Sequence, residues 1–367
     1  MQTPSYQTLM LLGLLSHPAL NVRDMQYLCR HLGYDPWRWA AAIKQQPALR
    51  GDLKKRLEPL ITIAPEHVWD AFPTLTVHME DLASHGVGVL GFGDDDFPPA
   101  LQRLADPPIL LFYKGNPAVL SLPQIAMVGS RQASIQGQRA AREFAQQFAQ
   151  GGFVVTSGLA RGIDAAAHRG CMDGEGKTVA VLARGLDDTY PLRHRGLARD
   201  IIDSGGVVIS EYLLGTPAMA HQFPVRNRII TGLSQALLVV EAARHSGSVV
   251  SARCAAEQGV DVFAVPGSIY SPQSEGCLDL IKEGAGLATC PSDVVGDLQL
   301  ELFQQEQPQP LLSSQARRVL TCLSTDPISV DQIINQLQWP AARVMASLTE
   351  CEVAGVAAMV ANRFVRR

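Results

Sequence analysis

The sequence predicts an α/β protein: a doubly wound parallel sheet, with a small helical domain before it and a winged-helix-like domain after it. Three observations carry that expectation. Short β-branched runs alternate with longer amphipathic stretches between about 121 and 295. The runs are apolar from end to end, as strands covered on both faces must be. Turns rich in Gly, Ser and Arg follow them, at the carboxyl ends where open parallel sheets bind ligands.

Residues 1–70 carry short helical patterns with Trp37, Trp39, Ile43, Leu49, Leu53 and Leu57 on their inward faces, broken by Pro36, Pro47 and Pro59. A small helical domain is expected there. From 71 to 120 the pattern is irregular, with Asp94-Asp95-Asp96, Phe97-Pro98-Pro99 and Asp106-Pro107-Pro108 ahead of an apolar run at 109–113. This segment is expected to pack as part of the next domain, giving it bounds of 71–300. Its strands are expected over 125–128, 153–156, 178–182, 207–209, 236–240 and 262–265, and its helices over 140–150, 164–172, 195–204 and 249–258.

Residues 301–312, Gln- and Pro-rich without apolar period, read as a linker. Helical patterns at 315–323, 330–336 and 341–351, then an apolar stretch at 356–360 and a basic end, predict a winged-helix-like domain over 313–367. Its six arginines stand against four acids, a balance of +2, and Arg343 alone falls in the expected recognition helix. That is a weak footprint for duplex DNA.

Composition narrows the classes further. With 367 residues, 47% of them hydrophobic and 18% charged, disorder is excluded as the main state and two or three domains are expected. Thirty-one Lys and Arg against 35 Asp and Glu give a net charge of −4, which excludes a histone-like protein and leaves room for a local basic pocket. The apolar stretch 9–15 is far short of the roughly 20 residues of a spanning helix, and no Lys or Arg precedes it as in a signal peptide. A cytoplasmic protein without a membrane segment is expected. The seven cysteines are scattered without a C-x-x-C pair, so they are expected to be reduced apolar fillers and not zinc ligands or disulfides.

The chemistry is expected after the strands. Gly129, Ser130 and Arg131 follow the first, Ser157, Gly158, Arg161 and Gly162 the second, Ser246, Gly247 and Ser248 the fifth, and Gly267 the sixth. Glycines let backbone N–H groups approach an anion, and Ser hydroxyls and Arg forks add donors, so the implied ligand carries phosphate. Arg226, Asn227 and Arg228 open another helix, where two arginines either grip a phosphate or lock a loop against Glu211 or Glu241. Tyr190, Phe223 and Tyr270 lie near the same edge, as base-stacking rings or as packing lids.

Signs of catalysis are thin. No G-x-S-x-G surrounds Ser157, and Asp164 with His168, four apart, equally describe a surface pair or a cap. His194, His221 and His245 have no metal-ligand spacing. After the first two expected strands the chain offers GSRQASIQG and SGLARG in place of G-x-G-x-x-G, and no P-loop occurs, so no cofactor is expected.

At the level of motifs the chain resembles the bacterial DNA-processing proteins, the DprA or Smf family. The matching stretches run in order from about 120 to 290: MVGSRQAS, VVTSGLARGIDAAAHRG, TVAVLARGLDDTYP, GGVVISE, FPVRNRIITGLS, LLVVEAARHSGSVVSARCAAEQG, DVFAVPGS and EGCLDLIKEGA. The connecting segment GDDDFPPALQRLADPPILLFYKG is similar too. The resemblance implies a single-stranded DNA-binding protein, not an enzyme, that protects incoming DNA and passes it to the RecA recombinase in natural transformation. It also implies a dimer of extended Rossmann domains, flanked by a SAM-like helical domain and a winged helix. Its DNA pocket would use Arg131 with donors from neighbouring loops, extended here to Ser157, Gly158, Arg161, Arg226 and Arg228.

Two other readings compete. A nucleotide-processing enzyme of the phosphoribohydrolase type carries P-G-G-x-G-T-x-x-E, whereas Glu241 here stands in VVEAARHSGSVVSA. A duplex-reading regulator would need a more basic recognition helix than Arg343 alone provides.

Overall fold

The computed structural model describes residues 4–20, 22–45, 51–296, 313–323, 328–353, 357–360 and 363–366. They divide into two compact units, Met1–Leu300 and Glu301–Arg367. The expected linker, 301–312, lies outside the described residues, as does Leu49.

The first unit is built on nine strands: β1 (Gly88–Gly91), β2 (Leu110–Gly115), β3 (Gln124–Val128), β4 (Val154–Ser157), β5 (Thr178–Leu182), β6 (Val207–Ser210), β7 (Ala236–Val239), β8 (Asp261–Ala264) and β9 (Gly286–Leu287). Their spatial order is β1-β2-β6-β5-β4-β3-β7-β8-β9. From β6 to β9 every pairing is parallel, whereas β1 with β2 and β2 with β6 are antiparallel. The six expected strands are all present, within a residue or two. The segment expected to connect contributes β1 and β2, because the run 109–113 extends the sheet edge beside β6. Prolines on either side of that run masked it as a strand in the sequence.

Alternation across the sheet assigns its two faces. Val89, Leu110, Phe112, Ala180, Leu182 and Val208 share a core with Leu9, Met10, Leu11 and other N-terminal side chains. Leu90, Leu111, Tyr113, Val179, Val181, Val207 and Ile209 face the opposite core. The N-terminal helices Tyr6–Ser16, Val22–Leu32, Pro36–Gln45 and Gly51–Ile61 therefore cover one sheet face. Trp39, Ile43, Leu53 and Leu57 are buried there as expected, and Trp37 is half-buried against them.

Strand order sets the place of the cleft. From β3 the chain winds one way through β4 and β5 to β6, then returns to the other side of β3 with β7 and β8. The winding reverses between β3 and β7, and in such sheets the crevice opens at the carboxyl ends of that pair.

In the second unit the helices Ser314–Leu320, Val330–Leu337 and Ala341–Val353 precede an antiparallel hairpin of β10 (Ala357–Val360) and β11 (Arg363–Arg366). Ala316, Val319, Ile333, Val344, Leu348, Cys351 and Phe364 form its core. The Arg343 guanidinium lies 4.2 Å from the centre of the Trp339 ring and donates to Gln315 at 3.1 Å, so it is engaged within its own unit. Among the described residues no helix is long and apolar enough to cross a membrane.

Candidate nucleic-acid interface

A cleft of about 730 Å³ opens at the carboxyl ends of β3 and β7. A smaller recess of about 240 Å³ joins it at the Arg131, Ala160, Arg161, Tyr190 and Phe223 walls. Of the sequence-predicted residues, Gly129, Ser130, Arg131, Arg161, Arg226, Asn227, Ser246, Gly247 and Ser248 line the main cleft, and Gly158 the recess.

Close backbone approaches shape it. The loop after β3 is held from β7: Glu241 accepts from the Ser134 N–H at 2.9 Å and from its hydroxyl at 2.5 Å. A Cβ on Gly137 would sit 2.6 Å from that carboxylate and would displace it from Ser134. Gly162 adopts φ +75°, and a Cβ there would fall 2.1 Å from the Ser130 carbonyl, which bonds the Ile163 N–H at 3.2 Å. The β3 and β4 loops are thus clasped by residues that leave Arg131 and Arg161 free to point outward.

Both of those arginines are exposed, as is Arg193, which lines the recess. Among the described residues none of the three forms a salt bridge. Arg131 lies over the Phe223 ring, 5.0 Å from its centre, and Phe223 meets Tyr190 at 5.6 Å and 57°. A guanidinium on an aromatic face keeps its N–H fork available, and the cation–π contact holds it in place. The loop carrying Tyr190 is braced by Arg195, which forms two 2.8 Å bonds to Asp188.

Beneath this rim lies a buried pair. Arg226 lines the cleft floor, donates to the Gly158 carbonyl at 3.0 Å and to the Val181 carbonyl, and leaves its Nε without a partner. Asp164 accepts from the Gly158 and Ala160 N–H groups at 3.1 and 3.2 Å. Burial pushes the Asp164 carboxyl up, opposed by Arg226 and those two amides. Burial likewise pulls the Arg226 guanidinium down to about 10, which leaves it charged at neutral pH. On the β7 side the helix Gly247–Glu257 begins at the cleft wall, with the Ser246 hydroxyl buried and unpartnered. Val249 N–H donates to the Ser246 carbonyl at 3.2 Å, and the Gly247 and Ser248 N–H groups ahead of it, which have no intrahelical acceptor, suit an anion.

Four predicted residues line neither the cleft nor the recess: Gly162, packed against the Ser130 carbonyl, and Ser157, Arg228 and Gly267. Ser157 is fully buried and donates to the Met127 carbonyl at 2.6 Å, so its hydroxyl joins β4 to β3 and does not face the cleft. Arg228 makes two bonds to Glu211, at 2.7 and 2.6 Å, and one to the Asp106 carbonyl at 2.8 Å: the loop-locking alternative is the one found. Gly267 lies exposed in the loop after β8, outside the cleft lining. His168 is buried, hydrogen-bonded to Thr178 at 2.7 Å, and held neutral down to about 3 by burial with His194 and two arginines nearby. Its hydrogen bond goes to Thr178, whereas Asp164 accepts from the Gly158 and Ala160 N–H groups.

Sequence reasoning did not single out Arg193, although its place in the loop after β5, three residues past Tyr190, was a readable signal. Asp164 was weighed as a catalyst, a surface pair or a cap; its role as acceptor for the Gly158 and Ala160 N–H groups of the loop after β4 was not read from the sequence.

Together these features define an extended Rossmann-like protein with a cleft at its switch point, rimmed by arginines and aromatics. Residues 88–299 match the family model described as DNA recombination-mediator protein A, and residues 303–362 match the DprA winged helix domain. The chain belongs to the DNA processing protein A family, known as DprA or Smf. It is 41% identical over 279 residues to Protein Smf of Escherichia coli, covering 74% of this chain and 75% of that one. To the DNA processing protein DprA of Streptococcus pneumoniae it is 44% identical over 206 residues, 56% of this chain and 72% of the relative. The X-ray structure of the Streptococcus pneumoniae protein superposes with a TM-score of 0.60 at 34% identity, covering 80% of this chain and 97% of that one. A DNA processing protein A structure from Helicobacter pylori, described for its single-stranded DNA binding mode, gives 0.52 at 26% identity over 56% and 93%.

Proposed function

We propose that the chain binds single-stranded DNA in the switch-point cleft and acts as a recombination mediator, protecting the strand and delivering it to the RecA recombinase. The observation that carries the reading is the Arg131 guanidinium resting on Phe223 beside Tyr190, with Arg161 and Arg193 unpaired around them. Cations on the rim meet phosphates, and exposed ring faces take unstacked bases of any sequence, which a duplex does not offer. Family membership supports the mediator role, the RecA partnership, a homodimeric state and a cytoplasmic setting. Within this reading residues 1–70 form a helical domain, 71–300 the strand-binding domain, 301–312 a linker and 313–367 a winged-helix-like domain. A net charge of −4 is no obstacle, because three or four local arginines suffice.

The enzyme alternative gains no support from the site: the Glu241 carboxylate is spent on Ser134. The test is fluorescence anisotropy of labelled oligo-dT across a salt series, with duplex of equal length as competitor. About three neutralised phosphates, at about −0.7 each, give an expected log–log slope near −2. Equal competition by duplex, or no binding at micromolar protein, overturns the proposal.

A further inference from the structure

Along the carboxyl edge of the sheet the strands stand in the order β5, β4, β3, β7, β8. The residues that follow them keep that order: Tyr190 and Arg193 after β5, Arg161 after β4, Arg131 after β3, Gly247 after β7, then Ile269 and Tyr270 after β8. Four strand spacings of about 4.8 Å make the row about 19 Å long. That is the length of about five to six nucleotides at the stacked rise of about 3.4 Å.

From Tyr190 to Gly247 these residues line the cleft or its recess. The last pair does not. Ile269 is 73% and Tyr270 90% exposed, two adjacent large apolar side chains directed into water. Their loop is nonetheless well fastened. Ser271 N–H donates to the Ser268 carbonyl at 3.0 Å, Ser274 N–H to the Ser271 carbonyl at 2.9 Å, and Ala242 N–H to the Gln273 carbonyl at 2.8 Å. Gln273 itself lines the main cleft, so the stem of this loop is cleft wall three residues from Tyr270.

We propose that Tyr270 is a second base-stacking platform, which takes a base of a single strand as the strand leaves the cleft past the Gly247 helix end. The proposal rests on the reading of the cleft as a single-strand site and extends it to the far end of the row. The free arginines Arg193, Arg161 and Arg131 all belong to the other end, and Arg244 on the β7 side is held by Asp279 at 2.8 Å. A strand emerging there has left the row of free cations behind. Stacking on an exposed phenol ring is the contact that remains, and it tolerates any base.

The test titrates the full chain with a labelled twelve-nucleotide oligo-dT and with an abasic backbone of the same length, comparing wild type, Arg131→Ala, Tyr270→Ala and Tyr270→Phe. Tyr270→Ala is expected to weaken oligo-dT by about tenfold, Tyr270→Phe by less than about twofold. On the abasic backbone Tyr270→Ala should change nothing, while Arg131→Ala weakens both ligands. Oligo-dT affinity unchanged in Tyr270→Ala, with the Arg131 effect intact, overturns the platform and leaves the cleft reading standing. No Arg131 effect, or no wild-type binding, overturns both. A Tyr270→Ala loss equal on both ligands, or one that accompanies a shift from dimer to monomer in sedimentation, overturns the platform and assigns the loop to a protein contact.

Discussion

Arg131 carries the most weight of any single residue. Its guanidinium is exposed, in no salt bridge among the described residues and seated on Phe223, so its removal is expected to cost the fold little and the proposed site a charge-assisted fork. Arg131→Ala is expected to weaken oligo-dT binding at least about tenfold while leaving the thermal midpoint within a few degrees of wild type; an unchanged affinity in the folded variant would remove Arg131 from the site. His168 has the opposite character, a buried group that affects stability and not binding. Its pKa is lowered to about 3 in the folded protein, against about 6.5 in an unfolded chain. Between those values the unfolded state binds one more proton, so stability falls with falling pH by about 1.4 kcal/mol per unit and is unaffected above about 6.5. His168→Gln should flatten that slope relative to wild type in urea titrations from pH 6.5 to 4; parallel slopes would contradict the assignment. Arg131's place at the cleft was legible because a Gly-Ser-Arg turn after an apolar strand falls at the carboxyl edge of the sheet. Ser157 was misread because the same residue types at a strand end also satisfy the backbone, and Met127 decides which.

Among the elements, the helix Gln222–Gly232 does most to shape the cleft, since Phe223, Arg226 and Asn227 all line it. Arg228 fixes that helix. It is bonded twice to Glu211 and once to the Asp106 carbonyl, and the Asp106 carboxylate also meets Arg30 of an N-terminal helix at 3.0 Å. Breaking a buried pair strands the remaining charge, so Arg228→Met is expected to cost about 3–5 kcal/mol in urea unfolding. Adding Glu211→Leu should recover most of that loss, because the stranded carboxylate is then gone; a double variant no better than the single would show that the contact to Asp106 dominates. The sequence placed this helix start and named Glu211 as one candidate partner for its arginines. It did not expose β1 and β2, whose short apolar runs lie between acidic and proline-rich turns and become strands only by pairing with β6.

For the molecule as a whole, function follows from winding order. A sheet that reverses direction between β3 and β7 opens a crevice at their carboxyl ends, and the Gly, Ser and Arg turns read from the sequence meet there because the topology brings them together. Six strands and the three-helix-and-hairpin unit were visible in apolar periodicity alone. Their spatial order was not, since nothing local in a strand says which neighbour it pairs with, and hence neither was the row from Tyr190 to Tyr270. The central claim is that a single strand lies in this cleft against its aromatic rim. Photocrosslinking the full chain to an oligonucleotide carrying 5-bromodeoxyuridine, with the modified peptides identified by mass spectrometry, tests it most directly. Adducts are expected on the peptides that contain Tyr190 and Phe223, and they should diminish in Arg131→Ala; adducts confined to residues 313–367, with none at Tyr190 or Phe223, would contradict the account.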